Sequence, residues 1–468
     1  MKKVFFLVVI TILVIVVSGT RIEKIPARFS IEISNEVLTF NGFGVSAAWW
    51  AQEIGKNSEV MEKIVRLLFS KKYGIGINIY KYYIGAGEPN NIKDSWRKAN
   101  TLEVNPGIYD LSRDEDALRV LKRALDFDVT KVVAFAYSPP ARMTISGFVD
   151  GGFDGNSNLR SDMYDDFAKY LIDIVELLIS EGIPVTELSP VNEPQWFWDS
   201  SKGQEGAHYS PDEVVKLLRE IIKEAEKRNL NIKINAPESG EWKSSRKYAD
   251  AMFTDQLINE KISEFHVHSY WSSSLDKKLF VNYLERKYPD KKIVMSEWCE
   301  MVNGRDYSMD SALTLAREII DDILTGKVIE WHYWIAVSKY DFRDGLIYVD
   351  YGEDGNIKNI TPTKRLWVMG NFSKFVEIGS KVVNLSYEKN GYLEAIAFKS
   401  LNEEEIVIVI LNPSDFPHEL FIDFQNEKFK LSNMYVTDKE HDLEEIKLSS
   451  SETITIFPQS VSTLIYKK

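Results

Sequence analysis

The feature that most constrains this chain is an alternation. From Leu38 to about Gly370, each short β-rich run is followed by an amphipathic helical stretch, the pattern of a parallel sheet with helical crossovers. The predicted strands are Leu38–Gly44, Ile75–Tyr82, Val132–Tyr137, Thr186–Val191, Lys233–Ala236, Glu264–Ser269, Lys292–Ser296 and Ile329–Trp334. The helices that follow them are predicted at Ser58–Phe69, Arg113–Phe127, Asp162–Ser180, Pro211–Arg228, Lys247–Asn259, Leu275–Lys287, Ser308–Leu324 and Thr363–Val376. Eight such pairs point to an α/β chain closed into a (β/α)8 TIM barrel, not an open sheet. In the third helix, Met163, Phe167, Tyr170, Leu171, Ile174, Leu177 and Leu178 recur at the spacing of one helical face. The fourth opens on Ser210-Pro211-Asp212-Glu213, with a capping hydroxyl, a proline at the first helical position and a carboxylate three residues after the cap.

After Gly379 the pattern becomes short alternating strands with turn signals, for example Tyr392–Lys399, Glu405–Leu411, Glu419–Phe424, Lys430–Val436 and Thr453–Tyr466. That reads as an appended C-terminal β-sandwich. Arg28–Ile33 alternates in the same way and is expected to pair into it. The expected division is residues 1–20 as a signal peptide, 21–37 as a strand segment joining the sandwich, 38–379 as the catalytic barrel and 380–468 as the β-sandwich. Met1-Lys2-Lys3, the run Val4–Val17 that is apolar except for Thr11, and Ser18-Gly19 follow the plan of a secretory leader. The run is shorter than the roughly 20 residues that span a bilayer, so no membrane association beyond the leader is expected and the protein is placed outside the cell. The single Cys299 excludes an intrachain disulfide. A net charge of -13 disfavours nucleic acid and anionic lipid as partners and makes a neutral substrate the easier expectation.

In a barrel of this kind, chemistry sits where the C-terminal strand ends converge. Ser189-Pro190-Val191-Asn192-Glu193-Pro194-Gln195 ends the fourth strand, and Met295-Ser296-Glu297-Trp298-Cys299 ends the seventh. Glycoside cleavage with retention needs one carboxyl to protonate the leaving oxygen and a second, about 5 to 5.5 Å away, to attack the anomeric carbon. Strands four and seven can supply that separation. Tryptophans crowd the same strand ends: Trp49, Trp50, Trp196, Trp198, Trp271, Trp298, Trp331 and Trp334. As a group they suit stacking against sugar faces, although a large aromatic is as readily core as platform.

The Asn192-Glu193-Pro194 and Glu297 pair resembles the clan A retaining glycosidases. Asn41 to Trp50, Tyr137 to Thr144, and His268-Ser269-Tyr270-Trp271 resemble glycoside hydrolase family 30. The resemblance implies Glu193 as acid/base, Glu297 as nucleophile, Asn192 on the sugar 2-hydroxyl and Tyr270 orienting the nucleophile. From their places near strand ends and in the loops, Trp49, Trp50, Trp196, Trp298, Lys81 and Arg142 are the further candidate substrate contacts. Trp196-Phe197-Trp198, Gln204-Glu205-Gly206 and the early double Trp look most like the endo-β-1,6-galactanase branch. Two positions depart from the family pattern. Lys81 stands where an Arg is usual, replacing a planar fork by a point charge. After Pro139-Pro140, Ala141-Arg142 stands where an aromatic is common, and Arg142 is either a partner for a uronate carboxylate or a solvated loop cation.

No cofactor or metal is expected. His266 and His268 share a strand face, but no Cys or carboxylate at ligand spacing joins them. Neither a Gly-x-Ser-x-Gly elbow nor a phosphate loop occurs. The expected activity is that of a secreted retaining hydrolase of a β-linked polysaccharide, first an endo-β-1,6-galactanase. The alternatives are a glucuronoxylanase or xylanase, a β-1,6-glucanase, an exo-β-glycosidase, and, in another class, a non-catalytic carbohydrate-binding protein. Oligomeric state is not legible in the sequence.

Overall fold

The computed structural model describes residues 24–152, 155–387, 392–425, 427–447 and 453–468. The expected leader, residues 1–20, lies outside the described residues. Among them no helix is long and apolar enough to cross a membrane.

The alternating region forms one curled, wholly parallel nine-stranded sheet, wrapped by helices, with a separate strand-rich region beside it. Around the sheet the order is Lys233–Ile234, Val185–Ser189, Lys131–Ala136, Ile79–Ile84, Phe43–Ser46, Val328–Tyr333, Lys292–Trp298, Glu264–His268 and Pro237–Ser239. The two end strands are halves of one segment interrupted at Asn235-Ala236; the predicted fifth strand, Lys233–Ala236, covers the first half and stops short of the second, Pro237–Ser239. Backbone bonds continue across the interruption, from Asn235 N–H to Leu188 O (2.8 Å) and from His266 N–H to Ala236 O (3.0 Å). This arrangement is consistent with a barrel.

Two other predicted elements divide differently. Leu38–Phe40 belongs to a long strand, Ile25–Phe40, in the second sheet, and the first strand of the curled sheet is only Phe43–Ser46. The fifth helix is two, Trp242–Thr254 and Gln256–Lys261, because Asp255 turns its side chain to cap the second by accepting from Ile258 N–H. Where periodicity is strongest, the helix buries the predicted face: Tyr164–Ser180 hides Phe167, Tyr170, Leu171, Ile174 and Leu178. At Pro211–Lys227, Ser210 and Glu213 form a reciprocal capping box.

The strand-rich region departs from a two-sheet sandwich. Nine strands form one continuous ladder, in which Ile25–Phe40 pairs antiparallel with Ser380–Tyr387 and parallel with His418–Asp423. Val436 and Ile456, from near opposite edges, share an internal core with Ile31, Ile408 and Leu464, so the sheet curls around its own apolar face. Its other face joins the main core through Val382, Phe398, Val409 and Val461, and Phe40 meets Phe398 at 5.8 Å. Asn371 and Thr463 exchange hydrogen bonds of 2.9 and 2.7 Å across the same junction. Phe398→Ala is expected to lower stability by about 3–5 kcal/mol, read as a shift of the urea midpoint; a change below about 1 kcal/mol would contradict this packing.

Candidate active site

The C-terminal ends of the parallel strands open into a cleft of about 480 Å³ lined by Tyr137, Asn192, Glu193, Trp196, Tyr270, Trp271, Glu297 and Trp334, among others. Glu193 and Glu297 are both buried, and an oxygen of each comes within 4.8 Å of the other and of a His268 ring nitrogen. That spacing lies near the short separation of double-displacement sites, well below the roughly 6.5–9.5 Å of inverting ones. Tyr270 Oη donates to Glu297 Oε1 at 3.1 Å. Burial pushes the Glu297 carboxyl up to about 7, opposed by the His268 charge and reinforced by that of Glu193.

Local backbone is unusual here. Glu193 (φ 44°), Glu238 (φ 56°) and Trp271 (φ 49°) all hold left-handed conformations, which non-glycine residues adopt where the surroundings over-determine them. Glycine at 240 is required for a different reason. A Cβ there would lie 2.5 Å from Glu193 Oε1, 2.6 Å from Gln195 Nε2 and 2.8 Å from Trp196 Nε1, so the missing side chain is the space the Glu193 carboxylate occupies.

Of the predicted residues, Asn192, Glu193, Trp196, Tyr270 and Glu297 converge on the cleft. Trp196 is half-buried and meets the exposed Trp271 edge-on at 5.7 Å. Trp50 is not at the cleft. It is fully buried in the main core, with Nε1 donating to Ser46 O at 2.8 Å. Trp298 is likewise core, packed on Trp331. Trp49 sits one layer back, edge-on to Trp334 at 5.1 Å and to Tyr137 at 6.5 Å, and is joined to the cleft through those two rings. Lys81 lies under the site, its Nζ donating to Ser296 O at 2.9 Å. Arg142 is engaged elsewhere: its Nε and Nη2 grip Glu103 at 2.9 and 2.8 Å, away from the cleft lining. It is therefore neither of the two things expected of it, and the lysine that lines the cleft is Lys202.

Sequence reasoning missed three residues. Along the chain the nearest carboxylate to His268 is Glu264, yet the His268 Nδ1 lies 3.3 Å from Glu193 Oε1 and 3.7 Å from Glu297 Oε1, and its Nε2 2.9 Å from Glu238 Oε2. Burial alone would lower its pKa; the charge of Glu297 and the hydrogen bonds with Glu193 and Glu238 outweigh this and raise it to about 9. Glu193, His268 and Glu297 are spaced as a metal could be held, but both imidazole nitrogens already face carboxylate oxygens, so the set works as an ion-paired cluster. Glu238 carries no motif of its own. Glu205 was noticed only as a branch marker. It is fully buried, accepts from Tyr83 Oη (2.5 Å) and from the amides of Ala86 and Gly87, and so ties the cleft wall after the fourth strand to the turn after the second.

A buried carboxylate pair at the mouth of a curled parallel sheet, in a cleft walled by indole rings, defines the site of an O-glycosyl hydrolase. The model of O-glycosyl hydrolase family 30 matches residues 26–275 and 281–348, and the chain belongs to that family. It is 24% identical over 350 residues to the glucuronoxylanase XynC of Bacillus subtilis (72% of this chain, 74% of that one). With the endo-beta-1,6-galactanase of Hypocrea rufa it shares 22% over 406 residues (80% and 78%). A conserved exported protein from Bacteroides fragilis has the same fold, with a TM-score of 0.83 at 23% identity over 93% of this chain and 99% of that one.

Three substitutions separate cleft from scaffold. In Gly240→Ala the three atoms nearest the added methyl belong to side chains, Glu193 Oε1 first, so the fold should persist while displacement of Glu193 lowers kcat on the order of a hundredfold; unchanged kcat would show that Glu193 does not need its present place. Trp196→Ala should raise KM for polysaccharide, whereas Arg142→Ala should leave it unaltered, as initial-rate kinetics would reveal.

Proposed function

We propose that the chain is a secreted retaining hydrolase of a β-linked polysaccharide, working by double displacement on a closed (β/α)8 barrel, and that its first substrate is β-1,6-galactan cleaved internally. The observation that carries the mechanism is the short separation of Glu193 and Glu297, with Tyr270 donating to the latter. In the first step Glu297 attacks the anomeric carbon while Glu193 protonates the departing oxygen; in the second Glu193 takes a proton from water, which releases the sugar from Glu297. Asn192, beside Glu193 in the cleft, is assigned to the sugar 2-hydroxyl. Tyr270 donates to Glu297 Oε1 and the His268 ring stands 3.7 Å from the same oxygen, hydrogen bond and charge together favouring the ionised, nucleophilic form.

The galactanase choice rests on the Trp196–Trp198 and Gln204-Glu205-Gly206 segments and on the similarity to the Hypocrea enzyme. One observation favours a second reading, a glucuronoxylanase: Lys202 lines the cleft, forms no ion pair among the described residues, and would meet an acidic substituent there. Export is proposed from the leader pattern, and the domain division from the change of strand pattern near residue 379.

Glu297→Gln should lose at least about a thousandfold in kcat on an activated aryl β-glycoside. Glu193→Ala should keep a fast first step on that substrate and be rescued by azide, with formation of the β-glycosyl azide; retained turnover in Glu297→Gln overturns the assignment. Product analysis on β-1,6-galactan, glucuronoxylan and β-1,6-glucan decides the substrate, and release of monosaccharide alone contradicts internal cleavage. Because Glu297 must be ionised to attack and its carboxyl is raised to about 7, kcat/KM should fall as pH drops through that value. A plateau extending down into the ordinary carboxylate range would contradict this.

A further inference from the structure

Under the two cleft carboxylates lies a third, Glu238, in the short strand Pro237–Ser239 that begins where the fifth strand resumes. It is buried and does not line the cleft, so it touches no substrate. Several of its contacts lead to the catalytic pair or to a residue beside it. The Glu238 carbonyl accepts from Glu193 N–H at 2.8 Å. Its Oε2 accepts from His268 Nε2 at 2.9 Å and from Ser296 Oγ, next to Glu297, at 2.5 Å. Its Oε1 accepts from Ser189 Oγ on the fourth strand at 2.9 Å, and Lys81 Nζ stands 3.5 Å from Oε2.

The orientation of His268 follows from this geometry. A neutral imidazole has one N–H and one lone pair. Here Nε2 faces Glu238, and Nδ1 faces Glu193 and Glu297. A lone pair on either nitrogen would point at a carboxylate oxygen, whereas an imidazolium donates on both sides. The groups facing the ring are Glu193 from the loop after the fourth strand, Glu238 from the fifth, Glu297 from the seventh and Tyr270 from the turn after the sixth, with Lys81 beyond Glu238. His266, 3.7 Å from Glu238 Oε1, is the other titratable neighbour of that carboxylate.

We propose that Glu238 is a positioning residue of this hydrolase: its carboxylate fixes His268 as an imidazolium beneath Glu193 and Glu297, while its main chain holds Glu193 in its left-handed conformation. The inference rests on the reading of Glu193 and Glu297 as the catalytic pair. It explains why a fully buried carboxylate is placed where it can only repel the other two directly: its effect is exerted through the cation between them. Lys81 and the Ser189 and Ser296 hydroxyls satisfy the remaining oxygen positions, so Glu238 has no acceptor capacity turned to the cleft.

The test is a ring-nitrogen NMR titration of the full chain carrying ¹⁵N-histidine. The sequence has six histidines, and a His268→Gln spectrum assigns the relevant one. In the wild type, His268 should show two protonated nitrogens through neutrality and titrate at about 9. Glu238→Gln should lower that titration by about one pH unit or more and reduce kcat about tenfold or more with KM within about twofold, because the cleft surface is untouched. A wild-type His268 that is a single neutral tautomer at pH 7 overturns the proposal, as does a Glu238→Gln enzyme with unchanged His268 titration and kcat. Should Glu238→Gln fail to fold, the wild-type titration alone decides. Glu297→Gln is assayed in parallel: if it retains turnover, the catalytic-pair reading fails whatever His268 does; if it is inactive while Glu238→Gln behaves as wild type, only the role of Glu238 fails.

Discussion

Two carboxylates buried within 4.8 Å of each other repel, and everything at the mouth of this sheet depends on how that repulsion is balanced. Both side chains are buried, so much of the balance must come from fixed groups. His268 lies between the pair and a third carboxylate, Tyr270 donates to Glu297, and Lys81 lies below. These groups come from the second, fourth, fifth, sixth and seventh strands or the turns after them. No local segment could assemble such a cluster, which is why it needs a sheet that brings distant strand ends to one place.

The rest of the architecture serves that placement. The left-handed backbone at Glu193 and Glu238 aims one side chain into the cleft and the other beneath it, while the bare Cα at Gly240 leaves room for the Glu193 carboxylate. Glu205, buried among two amides and a phenol, pins the wall that carries Trp196 and Trp198. Behind the strands, Trp50 and Trp298 fill the core and stiffen the floor on which the pair stands. The strand-rich region packs against the helices Met309–Leu324 and Lys364–Ser373 and contributes no side chain to the cleft lining.

Much of this was legible in the sequence because periodicity and turn chemistry are local. The helix Ser58–Phe69, the capped start at Pro211 and the two glutamates at strand ends could be read from neighbouring residues alone. What was not legible depended on contacts between residues far apart along the chain. Trp50 and Trp196 look alike as tryptophans near strand ends, yet one turns into the helix layer and the other into the cleft. Arg142 was a free cation until folding brought Glu103, 39 residues away, against it. His268 seemed to lack carboxylate neighbours because its three lie between 29 and 75 positions off. The fifth helix was read as one element because the interruption at Asp255 leaves the hydrophobic pattern almost unchanged, and the fifth strand was ended at Ala236, before the half that carries Glu238.

The central claim is that Glu193 and Glu297 stand close enough for double displacement. The most direct measurement is proton NMR of the newly formed reducing end during the first moments of hydrolysis of a β-linked oligosaccharide, before mutarotation. With double displacement the β-anomer appears first and the α-anomer grows in later. Initial appearance of the α-anomer would mean a single inverting displacement and would contradict it.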